Sequence, residues 1–420
     1  MNNRQTSVFF LFFYLLGSCE SFLVTLNYPP AIQIQPDLDV YYKDGESLTL
    51  PCMATGFPAP TFKWKRNGLE LDYSDGRFVM VPGEGSLIIS YTEERDEGVF
   101  QCLAENEFGT SASINVNLRM GRLNDFAAAS PIAFSPHLGE SLTLNCVPPL
   151  SVPRAEVEWI LTSSDGSVEP VTYDNRVTKD YEGRLHITNV QQEDYQNGKA
   201  YRCMVTNFFL RKNTYGKAIH IIPTGNLPLL RPAQYLWTSP SDVLGLRGET
   251  LQLKCIFSGN PTPEVIWSKN YDVLPHDYNV SLGGQELTMT NVTERDAGSY
   301  QCYGSNTNGS LAYRDIVVRV ESKPYWDIEP QDKNTNTGAT VTFMCKAKGY
   351  PEPVIQWFVN GVKLEESQKP ILHSHRFLNP DANNVTFVNV NNHDKMVLQC
   401  NASNIHGYVF ADFYLNILAD

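Results

Sequence analysis

Four times in this chain a cysteine is followed by a tryptophan and then by a second cysteine. The copies are Cys52, Trp64, Cys102; Cys146, Trp159, Cys203; Cys255, Trp267, Cys302; and Cys345, Trp357, Cys400. In a two-sheet β-sandwich each residue has a job. The cysteines tie opposite sheets through the core, and the tryptophan packs on the bridge. A tyrosine two residues before the second cysteine anchors a corner through its hydroxyl. The third copy carries the full set, with Leu287 and Met289 alternating and Asp296, Gly298 and Tyr300 leading into Cys302. One such match arises by chance; four in register do not. Short alternating strands and Gly/Pro/Asn turns fill the intervals. The expectation is an all-β chain of four tandem sandwiches.

The copies differ in informative ways. The first unit, 29–119, has Phe100 where the corner tyrosine belongs, so the ring packs without a hydroxyl. Its Arg77 and Asp96 are placed for a structural salt bridge at the sandwich base. The second unit, 124–222, has Arg176, Asp194 and Tyr201, with a longer corner at 195–199 and a strand connection rich in proline (Pro148, Pro149, Pro153). The third unit spans 235–321. The fourth, 324–418, keeps Arg376 and Asp394 but has Met396 and Leu398 where glycine and tyrosine are expected.

The junctions are unequal. Units one and two, and units three and four, are joined almost directly. Between units two and three lies the stretch 223–234, whose twelve residues span up to about 40 Å when extended. It carries Leu227, Leu229 and Leu230. Burying each is worth about 1.5–3 kcal/mol. The connector is therefore expected to pack, with two short rods folded back on each other; the alternative is an extended, mobile connector.

Arg4 precedes an apolar run at 8–16 that is too short to span a bilayer. Small residues follow, and cleavage after Cys19 or Ser21 fits a signal peptide over 1–21. The alternative is a buried strand or helix. Removal of Cys19 leaves eight cysteines. An even count in a secreted chain reads as disulfides: Cys52–Cys102, Cys146–Cys203, Cys255–Cys302 and Cys345–Cys400. Each closes a loop worth about 4 kcal/mol in the chain-entropy model. Zinc is the competing reading, but no C-x2-C pair occurs. No second apolar run reaches transmembrane length. The chain reads as extracellular: either secreted, or the front of a longer membrane protein's ectodomain.

The formal net charge of −13 argues against nucleic acid and anionic lipid as partners. No G-x-S-x-G, phosphate-loop or H-E-x-x-H motif is present, so neither an enzyme nor a cofactor is expected. His373 and His375 read as a solvated loop rather than a metal site. Lys63 and Lys65, flanking the inward Trp64, read as a solvated strand face rather than a glycan site. Arg247-Gly-Glu249 lacks the aspartate of an integrin signal. Five N-x-S/T sequons occur, at Asn279, Asn291, Asn308, Asn384 and Asn401, all in units three and four. Units one and two are left as the larger sugar-free surface. Asn401 directly follows a core cysteine, so strand alternation points it outward.

Taken together, these residues resemble the first four immunoglobulin domains (I-set type) of the neuroglian–neurofascin type neural cell adhesion molecules. They also resemble hemolin, a secreted four-domain insect immune protein. The specific matches are Pro324-Tyr325-Trp326 at the start of unit four, Asn145-Cys146-Val147-Pro148-Pro149, Met396 to Cys400 and Asn404 to Gly407. The resemblance implies a horseshoe, with the first domain on the fourth and the second on the third. It implies cell-surface protein partners, among them the same molecule on an opposing cell, without calcium, in adhesion and axon guidance. The hemolin likeness implies instead a soluble immune protein binding microbial surface molecules or their glycans.

Overall fold

The computed structural model describes residues 27–418 apart from 271, 275–277 and 310; the signal segment 1–21 and Cys19 lie outside them. Trp64, Trp159, Trp267 and Trp357 stand directly opposite Cys102, Cys203, Cys302 and Cys400 in antiparallel strand pairs. This one register, repeated four times, builds the chain. Cys52–Cys102, Cys146–Cys203, Cys255–Cys302 and Cys345–Cys400 are bonded and buried. Each indole Nε1 donates to a backbone carbonyl: Gly85 at 2.7 Å, Gly183 at 2.8 Å, Gly284 at 2.7 Å and Ala382 at 2.7 Å. A buried indole left without an acceptor carries a desolvation penalty, so this bond fixes each ring. Four separate hydrophobic clusters form around the bridges, one per unit.

Each unit also pairs an early strand in parallel with its last. Asp39–Tyr42 pairs with Val116–Met120, Ile132–Phe134 with Ile219–Ile221, Asp242–Leu246 with Leu311–Ile328, and Lys333–Asn336 with Gly407–Leu418. In the first unit the chain reaches that place by switching sheets, since the preceding strand Tyr28–Ile34 pairs with Met53–Phe57 on the other side.

The corners follow the residues available. Tyr201 and Tyr300 donate their hydroxyls to the carbonyls of Asp194 (3.2 Å) and Asp296 (2.8 Å). In unit one Phe100 fills the space, and Tyr42 from another strand donates to the Glu93 carbonyl at 2.7 Å. In unit four Met396 and Leu398 are fully buried. All four corners share an aspartate, Asp96, Asp194, Asp296 or Asp394, that accepts the backbone N–H three residues before it at 2.8 Å. Arg77, Arg176 and Arg376 pair with three of these carboxylates at 2.8, 2.7 and 2.7 Å. In unit three the Tyr278 hydroxyl donates to Asp296 at 2.5 Å, and the neighbouring Arg295 lies 3.7 Å from the same carboxylate. Tyr300→Phe should therefore destabilise unit three by about 1 kcal/mol, the net worth of one buried hydrogen bond. A lowered urea midpoint with unchanged slope checks it.

The junctions between units one and two and between units three and four are stiff. Leu311–Ile328 is one continuous strand running from unit three into unit four. Between units one and two only Gly121 separates two strands. Arg122 reaches back to Glu94 and Glu97 at 2.9 and 3.1 Å. Gly121 is needed at this joint, since a Cβ there would lie 2.8 Å from Leu210 and Phe209.

Candidate functional site

The 223–234 stretch turns the chain through its bend, and the two rods close into a horseshoe. The backbone is pinned: Thr224 N–H donates to Pro136 O at 2.8 Å and Leu229 N–H to Leu138 O at 2.9 Å, while Asn260 Nδ2 donates to Leu229 O at 3.0 Å. From Arg231 onward it is already a strand of unit three, Arg231–Thr238. The leucines do not supply the packing expected of them. Leu227, Leu229 and Leu230 are 80%, 48% and 70% exposed. The fold-back rests instead on backbone hydrogen bonds and on two seams between units.

The seam between units two and three is aromatic and well bonded. Trp237 is buried, edge-on to Tyr181 at 5.8 Å and beside His186 at 6.4 Å. Asn189 Nδ2 donates to Gly259 O and Thr262 Oγ1, both at 2.9 Å, and Gln285 Nε2 donates to Asn175 O at 2.7 Å. Arg231 pairs with Glu140 at 2.8 Å. Backbones approach closely: a Cβ on Gly283, whose φ is +62°, would lie 2.6 Å from Asn175 Cβ. Lys254 is buried here, 3.6 Å from Glu286; burial lowers its pKa, against the pull of Glu286.

The seam between units one and four is more polar. Strands Tyr28–Ile34 and Gly109–Ala112 of unit one lie against Met396–Asn404 and Gly407–Leu418 of unit four. Gln399, fully buried, donates to Ala112 O at 2.9 Å and to Asp412 at 3.0 Å. Asp412 also accepts from Ser111 Oγ and from Ile32 N–H (3.4 Å) across the seam. Tyr408 and Phe410 pack on the first unit's core. Lys395 sits 5.6 Å over the Phe108 ring.

Asp412 keeps part of its surface in solvent, but its carboxylate is ringed by donors from both units. Among the described residues no ion pair includes it. Burial, with a smaller push from Asp332, raises its pKa above the ordinary carboxylate value. The sign follows from linkage: a seam that binds a proton more tightly than the open form is favoured at low pH, and that contribution is lost as pH rises through the raised pKa. Closure should therefore strengthen as pH falls towards the ordinary carboxylate range. Asp412→Asn should flatten that dependence, read by small-angle scattering across the pH range.

The structure spreads the sequence-singled residues. The tryptophans and cysteines sit in the cores. Asn279, Asn291 and Asn308 are exposed, while Asn384 is half-buried with its Nδ2 held by Asp381 at 2.9 Å. Asn401 points out of its own unit, but the face it points from is the one docked on unit one. His373 donates to Ser367 O at 2.9 Å, and Lys63 pairs with Glu105 at 3.2 Å. Among the described residues no cluster of three metal-ligating side chains occurs, and no helix is long and apolar enough to cross a membrane. Sequence reasoning missed the seam residues Gln399, Asp412, Trp237 and Asn189. None belongs to the core repeat, and only the docked partner gives each its role.

Four disulfide-bridged sandwiches closed into a horseshoe define a tandem immunoglobulin-domain protein. Models of the immunoglobulin domain match residues 29–106 and 235–306, and the immunoglobulin I-set model matches 324–417. Neuroglian of Drosophila melanogaster is 32% identical over 421 residues, covering 96% of this chain and 32% of that protein. Neuronal cell adhesion molecule of Mus musculus is 32% identical over 422 residues (93% and 32%), and neurofascin of Gallus gallus 31% over 423 (94% and 30%). The chain belongs to the immunoglobulin-domain family. It spans about a third of the length of these relatives. In solved structures, the insect immune protein hemolin superposes with a TM-score of 0.79 at 23% identity, covering 93% of this chain and all of that one. Sidekick-1 immunoglobulin domains 1–4 give 0.70 at 23%, covering 93% and 99%.

Proposed function

We propose that this chain is an extracellular cell-recognition module that mediates adhesion through homophilic or heterophilic immunoglobulin-domain contacts. The observation that carries this reading is the match along nearly the whole chain to neural cell adhesion molecules. On this reading residues 1–21 direct the chain to the secretory route and are removed. The four units 29–119, 124–222, 235–321 and 324–418 form the recognition body, with 223–234 at its bend. Glycans on Asn279, Asn291 and Asn308 are supported by the exposure of those side chains. The partners are cell-surface proteins, including a second copy on an opposing cell.

Beads coated with the chain, residues 22–420, are expected to aggregate in the presence of a calcium chelator, and soluble chain is expected to block them. Failure to aggregate, and failure to bind cells bearing the relatives, overturns the reading. Binding to lipopolysaccharide or lipoteichoic acid in their place supports the hemolin-like immune role.

A further inference from the structure

At the edge of the seam between units one and four an open cavity of about 150 Å3 remains. Ile114 of unit one and Phe358, Tyr408 and Phe410 of unit four line it, together with Gln399 and Asn401. Strand pairing sets the unit-four side chains on one face: Phe358 stands opposite Gln399, and Phe410 opposite Asn401. Gln399 is fully buried. Its Nε2 gives one hydrogen to Ala112 O at 2.9 Å and the other to Asp412 at 3.0 Å, which leaves Oε1 to find a donor elsewhere. Among the described residues neither Gln399 Oε1 nor Asn401 Oδ1 has one. A buried acceptor without a donor carries its full desolvation penalty. The lining thus calls for a group with an apolar face and hydrogen-bond donors. Asn401 opens the sequon Asn401-Ala402-Ser403 and is partly exposed at the rim, so its Nδ2 is reached from solvent with the seam closed.

We infer that this cavity is the seat of the first sugar of a glycan on Asn401, and that the seated sugar clamps unit four to unit one. The transfer joins Asn401 Nδ2 to the anomeric carbon of a lipid-pyrophosphate-linked oligosaccharide. The anomeric C–O bond breaks, lipid pyrophosphate leaves and Nδ2 gives up one proton. The C–H face of the attached N-acetylated ring lies over Phe410, the cross-strand neighbour of Asn401, and over Tyr408. Its hydroxyl and acetamido N–H groups supply the donor that Gln399 Oε1 lacks. A cavity of this size holds one six-membered ring, so the first sugar enters and the rest of the oligosaccharide stays outside the mouth. A free sugar binds such a site weakly. The bond to Asn401 holds this one at high effective concentration, which favours the chain's own sugar over one brought by a partner. The inference takes from the proposed function only the secretory route, where the sugar is added.

The test expresses the whole chain in a secretory host that adds only high-mannose glycans, and endoglycosidase trimming then leaves one N-acetylglucosamine on each occupied asparagine. Occupancy at Asn401 and Asn308 is read by peptide mass spectrometry, and the seam by hydrogen exchange at Ala112 and Gln399. Asn401→Gln and Ser403→Ala, each lacking this glycan alone, are expected to exchange there faster by about tenfold, the scale of one net hydrogen bond with its packing. Trimmed wild type should keep its protection, because the first ring is the clamp. Phe410→Ala should lose more protection in the glycosylated chain than in the Ser403→Ala background. Equal protection with and without the sugar overturns the inference. So does an unmodified Asn401 in molecules whose Asn308 is occupied. Protection restored to Ser403→Ala by micromolar free N-acetylglucosamine overturns the tethered occupant and assigns the cavity to a sugar from elsewhere. Occupied Asn308 shows that the chain entered the secretory route, and no readout depends on adhesion, so bead aggregation and this clamp fail independently.

Discussion

Replacing Ala112 by arginine is expected to open the horseshoe while leaving all four sandwiches folded. Ala112 is buried at 3% exposure, yet it belongs to an edge strand of unit one rather than to that unit's core cluster. What covers it is unit four: its carbonyl accepts from Gln399, and Gly361 packs so closely that a Cβ there would lie 3.3 Å from Ala112 Cβ. A guanidinium has no room in that contact, and the neighbouring cavity, lined by Gln101, Ser113, Phe358 and Gln399, offers it no carboxylate. Overpacking of this kind costs about 1–3 kcal/mol, and an unpaired buried charge adds more. The seam has little to set against that, because much of it is polar and its carboxylate is partly desolvated. A compact body of this length has a radius of gyration near ~21 Å, and opening should raise the measured value by about a third. Scattering that matches wild type would show that the seam tolerates the insertion and that its polar contacts are stronger than they look. Circular dichroism and unfolding midpoints should stay close to wild type, since each unit keeps its own bridge and core.

The contrast between core and seam also explains what could be read from residues alone. Cys, Trp and corner Tyr do the same work in every such sandwich, so their spacing is imposed by geometry internal to one unit. The four registers of Trp opposite Cys follow from it. The apolar corner of unit four was legible too, because Met396 and Leu398 simply fill the space that a ring would occupy. The seams were not. Gln399 and Asp412 read as ordinary outward positions of a strand, and only the docked neighbour turns them inward. Asn401 shows the same limit: alternation puts it on the outer face, but that face borders unit one and leaves the residue only partly exposed. The leucines of the bend misled in the other direction. Their hydrophobicity pointed to burial, whereas the turn is held by backbone groups of Thr224, Leu138 and Leu229, whose hydrogen bonds carry no side-chain signature.

Trp237→Ala is expected to have the largest effect on the bend. Trp237 of unit three is set against unit two, edge-on to Tyr181 and beside His186. Truncating a buried tryptophan costs about 3–5 kcal/mol where the site cannot collapse. Collapse is hindered here, because the surrounding contacts fix the spacing. Asn189 is tied to Gly259 and Thr262, Gln285 to Asn175, and His186 to Asp180 at 2.8 Å. The cavity left would adjoin the buried Lys254, and water entering it should relieve the desolvation that now lowers that lysine's pKa. Units two and three should then move independently about the 223–234 stretch, and the first–fourth seam, held across the open end of the same arch, should open with them. The order of events distinguishes the two seams. Ala112→Arg should free only the ends and leave Trp237 protected from quencher. Trp237→Ala should free both seams, with an extended scattering profile and raised hydrogen exchange at Asn189, Gly259 and Gln399 together. If Gln399 stays protected in Trp237→Ala, the first–fourth seam holds on its own, and the hierarchy proposed for the two seams is wrong.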